Sequence, residues 1–454
     1  MLRMSLAVFL LGLYCQSAHA DFASARKLFE QQDYTAAIPQ LELMAKSGHP
    51  DAQYMVAQAY ANGWGKPVDV YQAYAWTLLA KESGSVEAGP YYAELRQKLP
   101  SRREAKTTFA SLDKEFGQVA LQSNLLPSNK FANTNPVFTV AKRLAQPEYP
   151  SSFKRSGIPA WAIVFYDINE AGKVENANVA LSYPQGAIDR YVLDAVKRWT
   201  FTPPKNGYGE SLRLNHQIHA FSLEKVITPT QKYKKDNADY IAAIKQAADA
   251  GFAEYQYKYA LLAHAGILKT EKALPWYLKS AISGYALAQV SIAQCLFSGS
   301  LCDIDNNKGM NWLAKAADSG HAPSAFTLAQ KLLNSDNIQF DPLRAAKYLK
   351  QASAKGYGPA LVEYSALLAN SSLPEIRNPE LAIQIAEQGL KKDDDNPNLL
   401  ASIATAKFEL GKLDEARELL AQAIDQAESR GLDTTPFTEL LESYQSDVQT
   451  AAEK

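Results

Sequence analysis

Several short groupings of nucleophilic and basic residues could support catalysis. The reaction that they would fit best is hydrolysis with serine as the nucleophile. Ser-x-x-Lys pairs begin at Ser24 and Ser151, and in such a pair the lysine amine can take a proton from the serine hydroxyl one helical turn away. A Ser-Asp-Asn triplet follows at 335–337. The third motif of such a hydrolase, Lys-Thr-Gly, is missing, because the Lys-Thr pair of this chain is followed by Glu271. The two motifs that are present also fall in different parts of the chain. We therefore predict that the protein is not an enzyme, and keep a serine hydrolase only as a minor alternative.

The histidines do not predict a metal site. His216 and His219 are three residues apart on a predicted strand, so their side chains point to opposite faces and cannot chelate one ion together. His49 and His321 each follow a repeated glycine and are typical of turns. We expect neither a metal nor another cofactor.

Two cysteines remain beyond the first twenty residues, Cys295 and Cys302. On one continuous helix their Cα atoms would be about 10.5 Å apart, which is too far for a disulfide. Ser298-Gly299-Ser300 predicts the end of that helix, after which the chain can fold back. We expect a structural disulfide, with two free buried thiols as the alternative; no Cys-x-x-Cys spacing indicates a redox-active pair.

The first twenty residues have the pattern of a secretory signal peptide. Arg3 supplies the positive start, residues 4–14 are apolar, and Ala18-His19-Ala20 is a small-x-small cleavage site. The apolar run is shorter than the ~20 residues that span a bilayer. We predict cleavage before Asp21 and export of the protein, with an uncleaved anchor, or a lipoprotein based on Cys15, as the alternatives.

Length and charge limit the classes of protein that remain. At 454 residues the chain is long enough for two to four domains. Its 47 basic and 48 acidic side chains give a net charge of -1, so no overall positive field attracts nucleic acid or anionic lipid. Nucleic acid is not expected as a partner.

The chain contains an internal repeat of about 36 residues. Gly48 and Gly84 are 36 residues apart, and a second series follows at Gly251, Gly284, Gly320 and Gly356. Small residues recur four and nine positions after these glycines, except for Tyr255 after Gly251. A large aromatic residue stands eight positions before four of them, at Trp76, Trp276, Trp312 and Tyr348. Glycine can adopt the left-handed conformation that ends a helix, so the repeat predicts helix hairpins that stack on one another.

These repeats, together with the loop Gly63-Trp-Gly-Lys-Pro-Val-Asp69, closely resemble the Sel-like repeat family, a relative of the tetratricopeptide repeats. Nearer the C-terminus, Leu400, Ile403, Gly411 and Ala416 resemble a conventional tetratricopeptide unit. The resemblance implies solenoids that present surfaces to proteins or peptides, and it implies core packing for the repeated aromatic and small residues.

The helical period stops in the middle of the chain, where two strands, a helix and a third strand are predicted. Residues 161–168 are apolar and β-branched, residues 169–172 form a turn, and residues 174–182 alternate as the hairpin partner. A helix at 187–199 and a strand at 212–223 follow.

This β-β-α-β order and its motifs resemble the C-terminal domain of TonB energy transducers. The matching motifs, in order, are Pro147-Glu-Tyr-Pro150, Gly157-Ile158, Phe165 to Val174, Leu193 to Pro203, and Gly207. The resemblance implies a periplasmic module that binds a short extended peptide, such as the TonB box of an outer-membrane transporter, by adding it as a strand to an exposed sheet edge. It also implies that the edge is the last strand, with Arg213, Asn215, Gln217 and His219 as its outward residues.

The sequence thus predicts an α+β multidomain protein in which two helical solenoids flank a small TonB-like domain. The predicted boundaries are 1–20 signal peptide, 21–116 Sel-like repeats, 117–140 linker, 141–224 TonB C-terminal-like domain, 235–370 Sel-like repeats, and 371–454 tetratricopeptide-like repeat and C-terminal helices. A transducer would also have a membrane anchor and a long proline-rich spacer, and neither is predicted here. We expect a non-enzymatic binding protein for envelope proteins or peptides, including TonB-dependent transporters, with a repeat scaffold lacking peptide binding at the central domain as the alternative.

Overall fold

The computed structural model describes residues 21–128, 139–149, 151–156, 158–169, 171–205, 214–222, 231–334 and 339–452. The predicted signal peptide, the Ser-Asp-Asn triplet at 335–337 and Arg213 lie outside these residues. Within them, no helix combines the length and the apolar character that crossing a membrane requires.

An N-terminal helical solenoid comes first. Its helices are α1 (Phe22–Glu30), α2 (Tyr34–Ala45), α3 (Pro50–Asn62), α4 (Val70–Glu82), α5 (Ala88–Lys98), α6 (Arg102–Phe116) and α7 (Gln118–Asn124). Asp33 and Asp69 cap the N-termini of α2 and α4 with their carboxylates, as short acidic side chains commonly do. Ile38, Leu41 and Trp76 pack in the core between these helices. Helix α7 occupies the start of the segment predicted as a linker.

A small α+β domain follows. Its elements are β1 (Ala141–Arg143), α8 (Ser151–Ser156), β2 (Trp161–Ile168), β3 (Val174–Tyr183), α9 (Asp189–Val196), β4 (Thr200–Phe201) and β5 (Leu214–Ser222). β2, β3 and β5 form one antiparallel sheet in the order β3-β2-β5, while β1 and β4 pair separately. The β2-β3 hairpin turns at Gly172, whose φ of 78° is a left-handed conformation.

The C-terminal solenoid is the largest part of the structure. Its helices are α10 (Gln231–Asp249), α11 (Ala253–His264), α12 (Ala273–Ile282), α13 (Ala286–Ser298), α14 (Asn306–Asp318), α15 (Ala322–Leu333), α16 (Pro342–Ala354), α17 (Gly358–Asn370), α18 (Pro379–Leu390), α19 (Pro397–Glu409), α20 (Leu413–Ser429) and α21 (Thr435–Ala452). Tyr277, Trp312 and Tyr348, which include two of the repeated aromatic positions, are buried between neighbouring helices. Helical solenoids therefore flank a small antiparallel sheet, which confirms the predicted fold class.

A disulfide joins Cys295 near the end of α13 to Cys302 in the following loop. The two Cα atoms are 5.9 Å apart. The helix ends at Gly299, which has a φ of 71°, and this turn brings the second cysteine back toward the first. The bond closes the loop that leads into α14.

The two solenoids contact each other directly. The backbone N–H of Phe22 donates to the carbonyl of Ser283 (2.9 Å), which lies between α12 and α13. Leu121 and Leu125, in and just after α7, are buried in the same apolar cluster as Trp312 of α14. The first half of the segment predicted as a linker is therefore packed against the C-terminal solenoid.

Candidate functional site

The last strand of the sheet, β5, is the outer strand on one side. Its register with β2 is uninterrupted from Trp161↔Ser222 to Tyr166↔Gln217, which makes six consecutive pairs. Among the described residues no strand pairs with the opposite side of β5. In an antiparallel pair every second residue directs its backbone N–H and C=O away from the partner strand, so a regular outer strand can template one further strand.

The other outer strand, β3, is much less regular. Its register with β2 shifts between Ile163 and Val164, and again between Phe165 and Asp167. Asn176 lies at the second irregularity with a φ of 52°, which is uncommon for a residue other than glycine. Bulges bend a strand and interrupt its row of hydrogen-bonding groups, so they protect a sheet edge from further pairing. Of the two edges, β5 is the one suited to strand addition.

Both faces of this sheet are covered by the chain's own helices. On one face Ala162, Val164 and Tyr166 pack with α9 and with Trp199. On the other face Trp161, Ile163 and Phe165 join the apolar cluster of the C-terminal solenoid. Within the described residues, the outer sides of β5 and β3 are therefore the parts of this sheet that have no paired strand.

The solenoid holds its face of the sheet through α10. The indole N–H of Trp161 donates to Oδ1 of Asn237 (2.9 Å). The ring of Tyr240 lies 6.2 Å from that of Trp161 and 5.3 Å from that of Tyr183, measured between centroids. Burial raises the pKa of the Tyr183 and Tyr240 hydroxyls. The β2-β3 hairpin and the first helix of the C-terminal solenoid thus form one aromatic contact.

Of the four predicted edge residues, Arg213 lies outside the described residues, and Asn215, Gln217 and His219 lie in β5. Gln217 and His219 are half-buried, and their pairing with Tyr166 and Val164 puts them on the face covered by α9. The His219 ring lies 4.9 Å from that of Trp199 in an edge-to-face arrangement. Asn215 lies within β5. The opposite face of β5 carries Ile218, which packs against the solenoid cluster, so a strand added to this edge would direct alternate side chains toward α9 and toward the solenoid.

Sequence reasoning missed the contact between the sheet and the solenoid. A signal for it was present, because β2 is apolar at all but one of its eight positions, as expected for a strand covered on both faces. Nothing in that run identified the covering element as α10 and its neighbours.

The other candidate residues do not assemble into a reactive site. Ser24 lies at the start of the N-terminal solenoid on α1, whereas Ser151 begins α8 of the central domain. His49 and His321 each accept a backbone N–H through Nδ1 at the start of a helix, from Ala52 and Ser324 respectively. Within the described ranges, no group of three or more His, Cys, Asp or Glu side chains could hold a metal ion.

Comparison with protein families agrees with this architecture. Residues 145–221 match the family described as the Gram-negative bacterial TonB protein C-terminal domain. Residues 50–85, 286–321 and 332–357 match the Sel1 repeat, and residues 377–430 match a tetratricopeptide repeat. The chain therefore contains a TonB C-terminal domain flanked by Sel1 and tetratricopeptide repeats, which confirms the predicted resemblance.

The similar curated proteins share only this central part. Protein TonB of Escherichia coli K12 is 28% identical over 74 residues, which are 16% of this chain and 31% of that protein. Protein TonB of Salmonella typhimurium LT2 is 31% identical over 64 residues, which are 14% of this chain and 26% of that protein. The chain thus spans less than a third of the length of these relatives.

Two solved repeat proteins are similar over most of the chain. A protective antigen of uropathogenic Escherichia coli with an SLR fold covers 92% of this chain and 74% of its own, at 16% identity and a TM-score of 0.34. A Sel1 repeat protein from Oxalobacter formigenes covers 94% and 88%, at 14% identity and a TM-score of 0.32. With scores this low, neither structure adds to the assignment. The TonB-like domain and its flanking repeats together define a protein-interaction module.

Proposed function

We propose that this protein binds extended peptide segments of envelope proteins in the periplasm, by pairing them with the outer edge of β5. The observation that carries the proposal is the six-residue regular ladder of β5, with no described strand on its other side. The irregular β3 edge makes β5 the favoured side of the sheet. The TonB boxes of outer-membrane transporters are the peptides we propose, because residues 145–221 match the TonB C-terminal domain.

Strand addition suits this edge for a physical reason. Backbone hydrogen bonds from the incoming segment supply affinity, and alternate side chains supply selectivity. On the α9 side they would meet the neighbourhood of Gln217 and His219, and on the other side the neighbourhood of Ile218. Because α13 lies close to β5, the C-terminal solenoid would contact the side chains that point to the Ile218 side. The sheet and the solenoid would therefore both contribute to selectivity for the bound segment.

Crosslinking can test which edge binds. Cysteine would be introduced in β5 by Gln217→Cys and, as a matched control, in β3 by Glu175→Cys, each in the full-length chain. Cys295 and Cys302 are joined by a disulfide, so the introduced thiol is the reactive one among the described cysteines. The TonB-box peptide carries one cysteine activated as a mixed disulfide with thionitrobenzoate, which leaves as the protein thiol attacks; we expect a crosslink to the β5 variant and not to the β3 variant.

A second measurement guards against accidental thiol reactivity. Hydrogen exchange in the unmodified protein should slow at 214–222 on addition of peptide and stay unchanged at 174–183. Equal crosslinking at both edges, or unchanged exchange at 214–222 with millimolar peptide, would contradict the proposal.

A repeat scaffold is the alternative function. The observation that favours it is the burial of both sheet faces by the chain's own helices, which removes these faces from contact with a partner. Photocrosslinking in cells separates the two functions. Partners captured from β5 support peptide binding, and partners captured only from the repeats support the scaffold.

A further inference from the structure

The C-terminal solenoid binds a short segment of its own chain, residues 124–128, which begins at the last residue of α7. The indole N–H of Trp312 donates to the backbone carbonyl of Leu125 (2.8 Å). The ammonium of Lys308 donates to the carbonyl of the next residue, Leu126 (2.9 Å). Side chains four residues apart lie on one face of a helix, so α14 presents both donors to the same stretch of backbone.

Two further contacts extend this grip in both directions. Nδ2 of Asn311 donates to the carbonyl of Asn124 (3.0 Å). The backbone N–H of Asp303 points to the carbonyl of Ser128 (3.4 Å). Three side chains of α14 therefore bind three consecutive peptide carbonyls, and they recognise the segment through its backbone.

Leucine side chains fill the space beside these hydrogen bonds. Leu125 is 5% exposed and belongs to the apolar cluster that includes Trp312. Leu126 packs against the same cluster. Bound backbone carbonyls flanked by buried apolar side chains are the features of an occupied peptide-binding groove.

The donors on α14 need acceptors supplied from outside their own helix. Lys308 is 8% exposed and Trp312 is fully buried. Asp305 is the nearest acidic partner of Lys308, at 3.8 Å, which is beyond hydrogen-bond distance. Removal of the segment would take these carbonyls away from the ammonium and the indole N–H, and both donors would then need another acceptor. The site therefore favours an occupant that supplies carbonyl oxygens.

We propose that the face of α14 formed by Lys308, Asn311 and Trp312 is a peptide-binding site, separate from β5, which the chain's own Leu125-Leu126 occupies as a displaceable resident. The outside ligand is a segment of a partner protein that carries two adjacent leucines at the end of a helix, as Leu125 and Leu126 follow α7 here. It makes the same backbone hydrogen bonds and fills the same apolar space, so the two compete for one site.

Displacement would alter the contact between the two solenoids. Leu121 is buried one helical turn before Leu125, in the same cluster, and its Cδ1 lies 2.6 Å from where a Cβ on Gly48 would stand. The resident segment thus leads directly into the contact between the two solenoids. A partner that takes the α14 site would loosen that contact and lengthen the connection to the central domain.

Binding in trans tests the proposal. The probe is a fluorescent peptide with the sequence of residues 119–128, and the protein is the full-length chain with Leu125→Asp, which expels the resident. Val119→Asp is the matched control, because Val119 lies on α7 and is 82% exposed. We expect the Leu125→Asp protein to bind the peptide at least tenfold more tightly than the wild type or the control, whose site is already filled. Equal binding by all three proteins, or none by a folded Leu125→Asp protein, overturns the proposal.

A second pair of variants tests the backbone donors without disturbing the core. In the Leu125→Asp background, Asn311→Ala should weaken the peptide about fivefold, as expected for one hydrogen bond. Asn307→Ala is the control, because Asn307 is exposed on the same helix and accepts from Gln339. A greater loss of peptide affinity in Asn311→Ala than in Asn307→Ala supports the site, and equal affinities of the two variants contradict it.

In the wild-type protein, excess peptide should speed hydrogen exchange at the resident segment, with the protein labelled with nitrogen-15 so that the resident differs in mass from the probe. Unchanged exchange at saturating peptide refutes displacement. None of these measurements involves the β5 edge, so this site and the proposed strand addition can fail independently.

Discussion

Acidification should destabilise the N-terminal solenoid through one buried histidine, His49. Its ring stacks on Phe22 with 4.0 Å between centroids, and its Nδ1 accepts the backbone N–H of Ala52 at the start of α3. Burial disfavours the charged imidazolium and lowers the pKa of His49 to about 4. A proton on Nδ1 would also remove the acceptor that caps the helix.

The sign and size follow from the two pKa values. In the unfolded chain His49 takes up its proton near pH 6.5, while in the folded protein it stays neutral down to about 4. The unfolded state therefore binds more protons between these values, and stability falls as the pH is lowered through this window. The linkage relation gives a loss of about 2 kcal/mol at pH 5 relative to neutral pH.

Hydrogen exchange of the α2 and α3 amides, corrected for intrinsic rates, measures this loss locally at pH 7.5 and pH 5. His49→Asn is the informative variant, because asparagine can still cap the helix and does not titrate. We expect the wild type to lose about 2 kcal/mol more than this variant on acidification. His321→Asn, at the equivalent cap of a later repeat, is the control and should leave the α2 and α3 response unchanged. Equal losses in wild type and His49→Asn would refute the reasoning.

Three further predictions concern other parts of the structure. Burial lowers the pKa of Lys315 to about 8. Lys315→Met should therefore raise the free energy of unfolding at pH 7 by about 1–2 kcal/mol, measured by urea titration. The wild type should itself gain stability between pH 8 and 10, because the folded state has then lost a proton that the unfolded chain keeps. Gly172→Ala should lower the urea midpoint more than Gly186→Ala. Both glycines have positive φ, but a Cβ at Gly172 would clash with a carbonyl oxygen of β4, whereas a Cβ at Gly186 would meet open space. Equal midpoints would contradict this steric argument. A double-mutant cycle with Trp161→Phe and Asn237→Ala should give a coupling of about 1 kcal/mol in the unfolding free energy, and a coupling of zero would show that their hydrogen bond does not hold the sheet to α10.

Local patterns predicted the elements of the fold well. The repeated glycines mark helix ends because glycine, which has no Cβ, adopts positive φ without steric cost, as at Gly251 and Gly320. The hairpin turn near Gly172 and the helix that carries Val192 and Val196 follow from turn chemistry and apolar spacing in the same way. These features depend on neighbours close in sequence.

Contacts between distant segments could not be predicted in the same way. Leu125 begins a stretch rich in helix breakers and Leu121 lies just before it, and only docking on Trp312, nearly 190 residues later, explains why both are buried. For the site, the sequence indicated β5 but treated Gln217 and His219 as outward residues, because it did not show how α9 and its following Trp199 cover that face. An apolar pattern tells that a face is buried without identifying what buries it.

The sheet face that packs on the C-terminal solenoid makes the central domain dependent on that solenoid. Trp161, Phe165 and Leu181 would meet water if the domain were transplanted to a chain without this solenoid. Such a chimera would expose an apolar surface prone to self-association. Transfer of the sheet together with the helices that follow it would avoid this exposure.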